Sequence, residues 1–165
     1  MKTKLFFSFL AILTACTSNK PMTEEQKTAV KNEGSLVVNE FFDALKTSNA
    51  DKMFKLLTEG PDYTYTIEGE IYTYDQQVEL ANKYLPAVEK QTFITEFEKY
   101  IILDAFCFTY LWKGDNGMYM KSGDTIMLND YLISYTFRKD EGKWKLVLGQ
   151  EAASAPFPVD TAMLR

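Results

Sequence analysis

The side chains of this chain that could transfer protons are carboxylates and tyrosines, because its 165 residues include ten tyrosines and no histidine. A carboxyl group buried among apolar side chains has a raised pKa, and it can then act as an acid or a base near neutral pH. The candidates for such a catalytic role are Asp104, Glu98, Asp124 and Tyr65. For each of the acidic residues, a solvent-exposed position is the alternative.

Aromatic residues could line a binding pocket, because the chain has ten tyrosines, twelve phenylalanines and two tryptophans. Aromatic side chains also favour strands whether or not they bind anything, so the core and the sheet surface are the alternative positions. A tyrosine-rich surface would suit a dimer interface as well. The candidates for a pocket lining are Tyr65, Phe97, Phe108, Tyr110, Tyr135 and Gln150.

Other kinds of site have little support in the sequence. With no histidine, no cysteine pair and no Asp-x-Asp-x-Asp-Gly loop, we expect no metal site and no cofactor. Cys107 lies between two phenylalanines in a predicted core strand, where a thiol stays neutral and unreactive. Gly114, Gly117 and Gly123 are interpreted as turn residues, since they form no Gly-rich phosphate loop.

The start of the chain has the layout of a bacterial secretory signal peptide. Met1-Lys2-Thr3-Lys4 is basic, and an apolar run from Leu5 to Ala15 follows it. The run is too short to cross a bilayer, which takes about 20 apolar residues. The phrase Leu13-Thr14-Ala15-Cys16 resembles the lipobox of bacterial lipoproteins, and this resemblance implies acylation of Cys16 and removal of the preceding peptide. An ordinary signal peptide with an incidental cysteine is the alternative.

We therefore expect a lipid anchor followed by one domain and a short tail. The predicted parts are a signal peptide at 1–15, a lipidated cysteine with a tether at 16–22, a domain at 23–155 and a tail at 156–165. Thr17 follows the cysteine in place of aspartate, and by the lipoprotein rule this favours the outer membrane, facing the periplasm.

Charge excludes nucleic acid as an expected partner. Removing Lys2 and Lys4 leaves 16 basic residues against 23 acidic ones, so the net charge changes from −5 to −7. Affinity for phosphate backbones comes mainly from lysine and arginine. The membrane, reached through Cys16, is the expected partner instead.

Helical spacing dominates the first half of the domain. Thr23 and Thr73 each stand three residues before a glutamine, which predicts helices that begin at capping boxes. The first helix is expected to run to about Lys46, and the other should end near Pro86. Ser48 or Asn49 could cap a short helix between them.

Strand patterning follows, with a short strand or bent hairpin at 62–72, two strands hinged near Asp104 within 92–113, and further strands at 125–139 and 143–152. The residues at 114–123 are expected to form a loop, and Trp144, Leu146, Leu148 and Gln150 are expected to share one face. Helices followed by antiparallel strands predict an α+β domain, with N-terminal helices packed on a strongly curved sheet.

Two phrases resemble the nuclear transport factor 2-like superfamily and its SnoaL-like group: FFDALKTSNADKMFKLLTEGPDYTYT at 41–66 and ISYTFRKDEGKWKLVLGQEAAS at 133–154. The resemblance implies a cone in which helices close a bent sheet around a pocket. It also implies membership of a family that includes ketosteroid isomerases, dehydratases and polyketide cyclases beside binding and assembly modules, with dimers common. Where many relatives have pocket histidines, this chain has Leu148 and Gln150, so a histidine-based acid/base pair is impossible.

The sequence therefore leads to one expected function and one alternative. The expected function is a lipid-anchored module that binds a small apolar or amphipathic molecule, or that self-associates through its sheet. The alternative is a carboxylate-dependent isomerase, dehydratase or hydrolase of the SnoaL type. A buried carboxylate beside a tyrosine in an enclosed apolar pocket would favour the enzyme, and a pocket lined only by apolar and amide groups would favour binding. A filled cone would count against both and leave structural assembly through the sheet.

Overall fold

The computed structural model describes residues 21–154 of the chain. The predicted signal peptide, Cys16 and the tail at 156–165 lie outside the described residues. Within them are three α-helices: α1 (Glu24–Lys46), α2 (Ala50–Phe54) and α3 (Tyr74–Tyr84). The strands are β1 (Thr64–Ile67), β2 (Glu70–Tyr72), β3 (Val88–Asp104), β4 (Cys107–Met120), β5 (Thr125–Asp140) and β6 (Lys143–Ala152). They form one sheet in the order β2-β1-β6-β5-β4-β3, in which only β1 and β6 pair in parallel.

The predicted helix starts are confirmed. Thr23 and Thr73 both form complete capping boxes, in which the threonine hydroxyl accepts from the glutamine N–H and the glutamine side chain accepts from the threonine N–H. Asn49 caps α2. Pro86 lies in a 3₁₀ turn at Leu85–Ala87 that follows α3, as its missing N–H requires.

The predicted hairpins are also confirmed, but the predicted loop at 114–123 is wrong. Strand β4 continues through Gly114 and Gly117 to Met120, and of the three glycines only Gly123, with φ +94°, lies in a turn. At Gly114 an added Cβ would lie 2.0 Å from the carbonyl oxygen of Ile94 on β3. This glycine therefore lets two strands approach closely and makes no turn.

Bulges in the long strands reset which side chains face the helices. In β6, Leu146 pairs with Phe137 and Leu148 pairs with Thr136, so Val147 is one extra residue. The expected common face of Leu148 and Gln150 with Trp144 is wrong for this reason. Beyond the bulge the inward positions are Gly149 and Glu151, while Leu148 is 46 % exposed.

The core lies between α1 and the inner face of the sheet, and aromatic side chains fill most of it. Phe108 and Phe137 stack with ring centroids 5.2 Å apart, and Phe41 and Phe42 of α1 make edge contacts with rings of β4 and β5. These contacts fix helices against a curved, mainly antiparallel sheet, and the predicted α+β class is confirmed. No helix within residues 21–154 is long and apolar enough to cross a bilayer.

Candidate functional site

One carboxyl group lies among tyrosine hydroxyls on the inner face of the sheet. Glu151 of β6 accepts hydrogen bonds from the hydroxyls of Tyr65, Tyr131 and Tyr135, which come from β1, β5 and β5. The hydroxyls of Tyr65 and Tyr135 also lie 3.0 Å apart. We call these four residues the Glu151 cluster. Its three tyrosines are at most 4 % exposed.

The strand register explains why these side chains meet. Gly149 of β6 pairs with Tyr65 on one side and with Tyr135 on the other. A Cβ at Gly149 would lie 2.3 Å from the Tyr65 ring, so the glycine leaves the space that this ring occupies. Glu151, two residues further along, faces the same side of the sheet as Gly149 and reaches all three hydroxyls.

Burial dominates the electrostatics of the cluster. It raises the pKa of Glu151, and the hydrogen bonds from Tyr131, Tyr135 and Tyr65 offset part of this rise because they stabilise the carboxylate. Burial raises the pKa of the three tyrosine hydroxyls well above its usual value, and the nearby Glu151 charge adds to the effect. The tyrosines are therefore hydrogen-bond donors at physiological pH, and Glu151 is the group able to exchange a proton.

A fourth tyrosine extends the cluster toward α3. Tyr63 stacks on Tyr65 at 6.2 Å between ring centroids and meets the ring of Tyr74 edge-on at 5.9 Å. Tyr63 is 2 % exposed, and its hydroxyl has no hydrogen-bond partner among the described residues. A buried hydroxyl of this kind costs free energy unless something else bonds to it.

The structure brings only some of the predicted site residues together. Tyr65 and Tyr135 belong to the Glu151 cluster, while Phe108 and Tyr110 are buried elsewhere in the core. Phe97 is 49 % exposed and Gln150 is also exposed, both on the outer face of the sheet. Phe97 points outward because a register shift next to it makes Glu96 an extra residue of β3.

The three acidic candidates are exposed and lie apart from the cluster. Asp104 accepts from the backbone N–H of Phe106 at 2.6 Å and holds the β3–β4 turn. Glu98 accepts from the Tyr110 hydroxyl at 2.9 Å, and Asp124 accepts from the Ser122 hydroxyl at 2.8 Å. Among residues 21–154 no three cysteine or acidic side chains are grouped so that they could hold a metal ion.

Sequence reasoning missed Glu151 and Tyr131. Tyr131 stands two residues before Ile133 and so shares the alternation of Ile133, Tyr135 and Phe137, which was a sufficient signal. Glu151 had no such signal, because the strand phase through Trp144 and Leu146 places it outside unless the bulge is known.

Two depressions on the surface of the described residues lie away from the cluster. One, of about 580 Å³, lies between α1 and the start of β6, and its lining includes Leu36, Leu56 and Trp144. The other, of about 140 Å³, lies on α3. Neither contains a residue of the Glu151 cluster, whose surroundings are packed with aromatic side chains.

Solved structures share this arrangement of helices and sheet. An NTF2-like superfamily protein from Salmonella enterica serovar Typhimurium LT2 superposes with a TM-score of 0.67 at 13% identity, covering 81% of this chain and 97% of that chain. This chain has the NTF2-like fold. The hexachlorocyclohexane dehydrochlorinase LinA-type3 from Novosphingobium barchaimii LL02 gives 0.65 at 10% identity, covering 84% of this chain and 95% of that chain. A LinA type 2 dehydrochlorinase gives 0.65 at 12% identity, covering 81% and 90%.

At these identities the likeness concerns the fold of the NTF2-like domain alone. No protein-family model matches the chain, and no curated protein matches it in sequence. The Glu151 cluster brings a carboxyl group and three phenolic hydroxyls together on the inner face of the sheet.

Proposed function

We propose that this chain is a lipid-anchored protein of the bacterial cell envelope whose NTF2-like domain binds a small, mainly apolar molecule at the Glu151 cluster. The observation that carries the proposal is a carboxyl group and converging tyrosine hydroxyls set in an aromatic interior. A ligand with a hydrocarbon body and one hydroxyl or carbonyl group matches this chemistry. The hydrocarbon body of the ligand takes the place of aromatic side chains that now pack together, and its polar group forms hydrogen bonds with the cluster.

Aromatic side chains fill the interior, which by the expectation stated above favours assembly, so a ligand can bind only by displacing part of this packing. The β1–β2 hairpin is the part best placed to open. It lies at the edge of the sheet, its strands have four and three residues, and β1 pairs with β6 over only four positions. Opening the hairpin moves Tyr65 away from Glu151 and exposes the unbonded hydroxyl of Tyr63.

Binding is tested with 6-propionyl-2-(dimethylamino)naphthalene, whose apolar body carries one carbonyl group and whose fluorescence shifts to shorter wavelength in apolar surroundings. The chain from Thr17 onward contains every described element of the fold and avoids the predicted leader. We expect saturable binding that Tyr131→Phe weakens about tenfold, the usual worth of one hydrogen bond. Tyr110→Phe is the matched control, because its hydroxyl bonds Glu98 outside the cluster and its loss should leave affinity unchanged. Equal affinity in both variants, or no saturable binding, contradicts the proposal.

A proton-transfer enzyme is the second candidate, favoured by the raised pKa of Glu151 beside phenolic donors. In such a reaction Glu151 would remove a proton from the substrate, and a tyrosine would stabilise the developing negative charge. Two of the structures with this fold are dehydrochlorinases, which is consistent with this class of chemistry. The roles would then fall to Glu151 and Tyr65, in place of Asp104, Glu98 and Asp124. A compound recovered unchanged after binding favours the first candidate, and conversion that Glu151→Gln abolishes favours the second.

We also propose that the domain forms a homodimer through the outer face of its sheet. This face carries apolar side chains on three strands, each 46 to 63 % exposed: Ile94, Phe97, Met127, Leu132 and Leu148. Several exposed apolar side chains on one face of a sheet are typical of protein interfaces. We expect Phe97→Lys to shift the protein to monomers in sedimentation analysis. Leu36→Lys, on the 71 % exposed Leu36 of α1, should not. A monomeric wild type contradicts the dimer.

The anchor and the outer-membrane location rest on the sequence around Cys16 and on Thr17 after it. A multiply acylated cysteine holds a protein stably, whereas a single acyl chain holds it only marginally. Flotation of the wild-type chain with lipid vesicles, compared with Cys16→Ser, tests this part of the proposal.

A further inference from the structure

The turn between β3 and β4 presents apolar side chains to solvent. Leu103, the next-to-last residue of β3, is 58 % exposed, and Phe106, in the two-residue connection 105–106, is 63 % exposed. The turn itself is well held, since Asp104 accepts from the Phe106 N–H at 2.6 Å and the Phe106 carbonyl accepts from the Lys139 N–H at 2.7 Å. We call residues 103–106 the hairpin tip. Exposed apolar side chains grouped on a rigid turn are typical of an interaction site.

The hairpin tip lies at the end of the molecule where α1 begins. Gly34 packs against Phe108, two residues beyond the tip, and the Lys31 ammonium lies 5.9 Å from the Tyr100 ring centroid. Later in α1, Phe42 contacts Trp112, further from the tip along β4. The helix therefore points its first turns toward the tip. It begins ten residues before Gly34, which places its start about 15 Å beyond that contact.

The proposed lipid anchor is close to the same end. Residues 17–23 separate Cys16 from α1, and seven residues span at most about 25 Å when extended. The membrane surface that holds Cys16 is thus within reach of the hairpin tip. We propose that the hairpin tip inserts Leu103 and Phe106 into this lipid surface, so that the domain docks in one orientation. This inference rests on the proposed acylation of Cys16.

Apolar contact is the form of docking that fits the charge of the chain. The mature chain carries a net charge of −7, since 16 basic residues stand against 23 acidic ones. A membrane with anionic lipids would repel a domain of this net charge, so overall electrostatic attraction does not favour docking beside the anchor. Apolar side chains inserted at the headgroup boundary can do so on neutral lipid as well.

Two labelled variants of the full, acylated chain test the docking. Both carry Cys107→Ser, because acylation consumes the thiol of Cys16 and the label must have one target. Ala105→Cys places a fluorescent label in the hairpin tip, and Ser122→Cys places it in the β4–β5 turn at the opposite end of β4. In phosphatidylcholine vesicles whose acyl chains carry a nitroxide quencher, we expect several-fold stronger quenching at position 105 than at 122. Leu103→Ser with Phe106→Ser should remove this excess, while Leu36→Ser should keep it.

The outcomes separate the anchor from the docking. Flotation of the acylated chain together with the quenching difference supports both. Flotation with equal quenching at positions 105 and 122 overturns the docking and leaves the anchor standing. Failure of the wild type to float better than Cys16→Ser overturns the anchor and the docking with it. Circular dichroism of each variant checks that the fold is intact, which distinguishes a loss of docking from unfolding.

Discussion

Gly114→Ala is expected to destabilise the NTF2-like domain by about 3 kcal/mol or more, the upper part of the range for overpacking a closely packed site. The new methyl group would lie 2.0 Å from the Ile94 carbonyl oxygen and 2.8 Å from the Trp112 ring. The first neighbour is backbone in the paired strand β3, so relief requires β3 and β4 to separate locally.

Gly117→Ala is the matched control for this prediction, three residues along the same strand. Its methyl group would approach the Thr92 hydroxyl at 2.8 Å and the Met127 sulfur at 3.1 Å, and both are side-chain atoms that can move. We expect a loss of about 1 kcal/mol or less. Urea unfolding followed by tryptophan fluorescence measures both variants. Equal losses at the two positions would show that the β3–β4 contact is not rigid.

Local sequence signals predicted several elements of the fold, but they did not predict the roles of Gly114 and Gly117. The capping boxes at Thr23 and Thr73 and the turn at Glu141-Gly142 are local signals, and each lies where it was predicted. Gly114 and Gly117 carry the same local signal as turn residues. Their real role depends on how near β3 lies, and this is a long-range property that one strand's sequence does not contain.

The candidate site was partly predictable for a related reason. Tyr65 and Tyr135 are among the aromatic candidates for a pocket lining, and both belong to the Glu151 cluster. Glu151 was hidden by one extra residue, Val147, which inverts the alternation in the last part of β6. Pairing with β5 and the parallel contact with β1 determine that bulge, and neither can be seen in residues 143–152 alone.

The bulge at Val147 turns Glu151 inward, where ionisation of its carboxyl group lowers the free energy of unfolding. Glu151→Gln keeps the shape of the side chain and removes its charge, so it isolates this effect. Because burial raises the pKa of Glu151 in the folded state, the folded protein binds more protons than the unfolded chain at pH values above the ordinary 4.5. The stabilising contribution of protonated Glu151 is complete below that pH and is lost as the pH rises through the folded-state pKa.

We therefore expect the free energy of unfolding of the wild type, relative to Glu151→Gln, to fall as the pH rises from 4.5, by at most about 1.4 kcal/mol per pH unit. Glu33→Gln should show the opposite sign. Hydrogen bonds from Lys139 and Trp144 lower the pKa of Glu33, so its contribution is present above pH 4.5 and lost as the pH falls. Urea unfolding from pH 4 to 8 measures both differences. A flat difference for Glu151→Gln would mean that the three tyrosines solvate the carboxylate as well as water does, so that the pKa of Glu151 is not raised in the folded state.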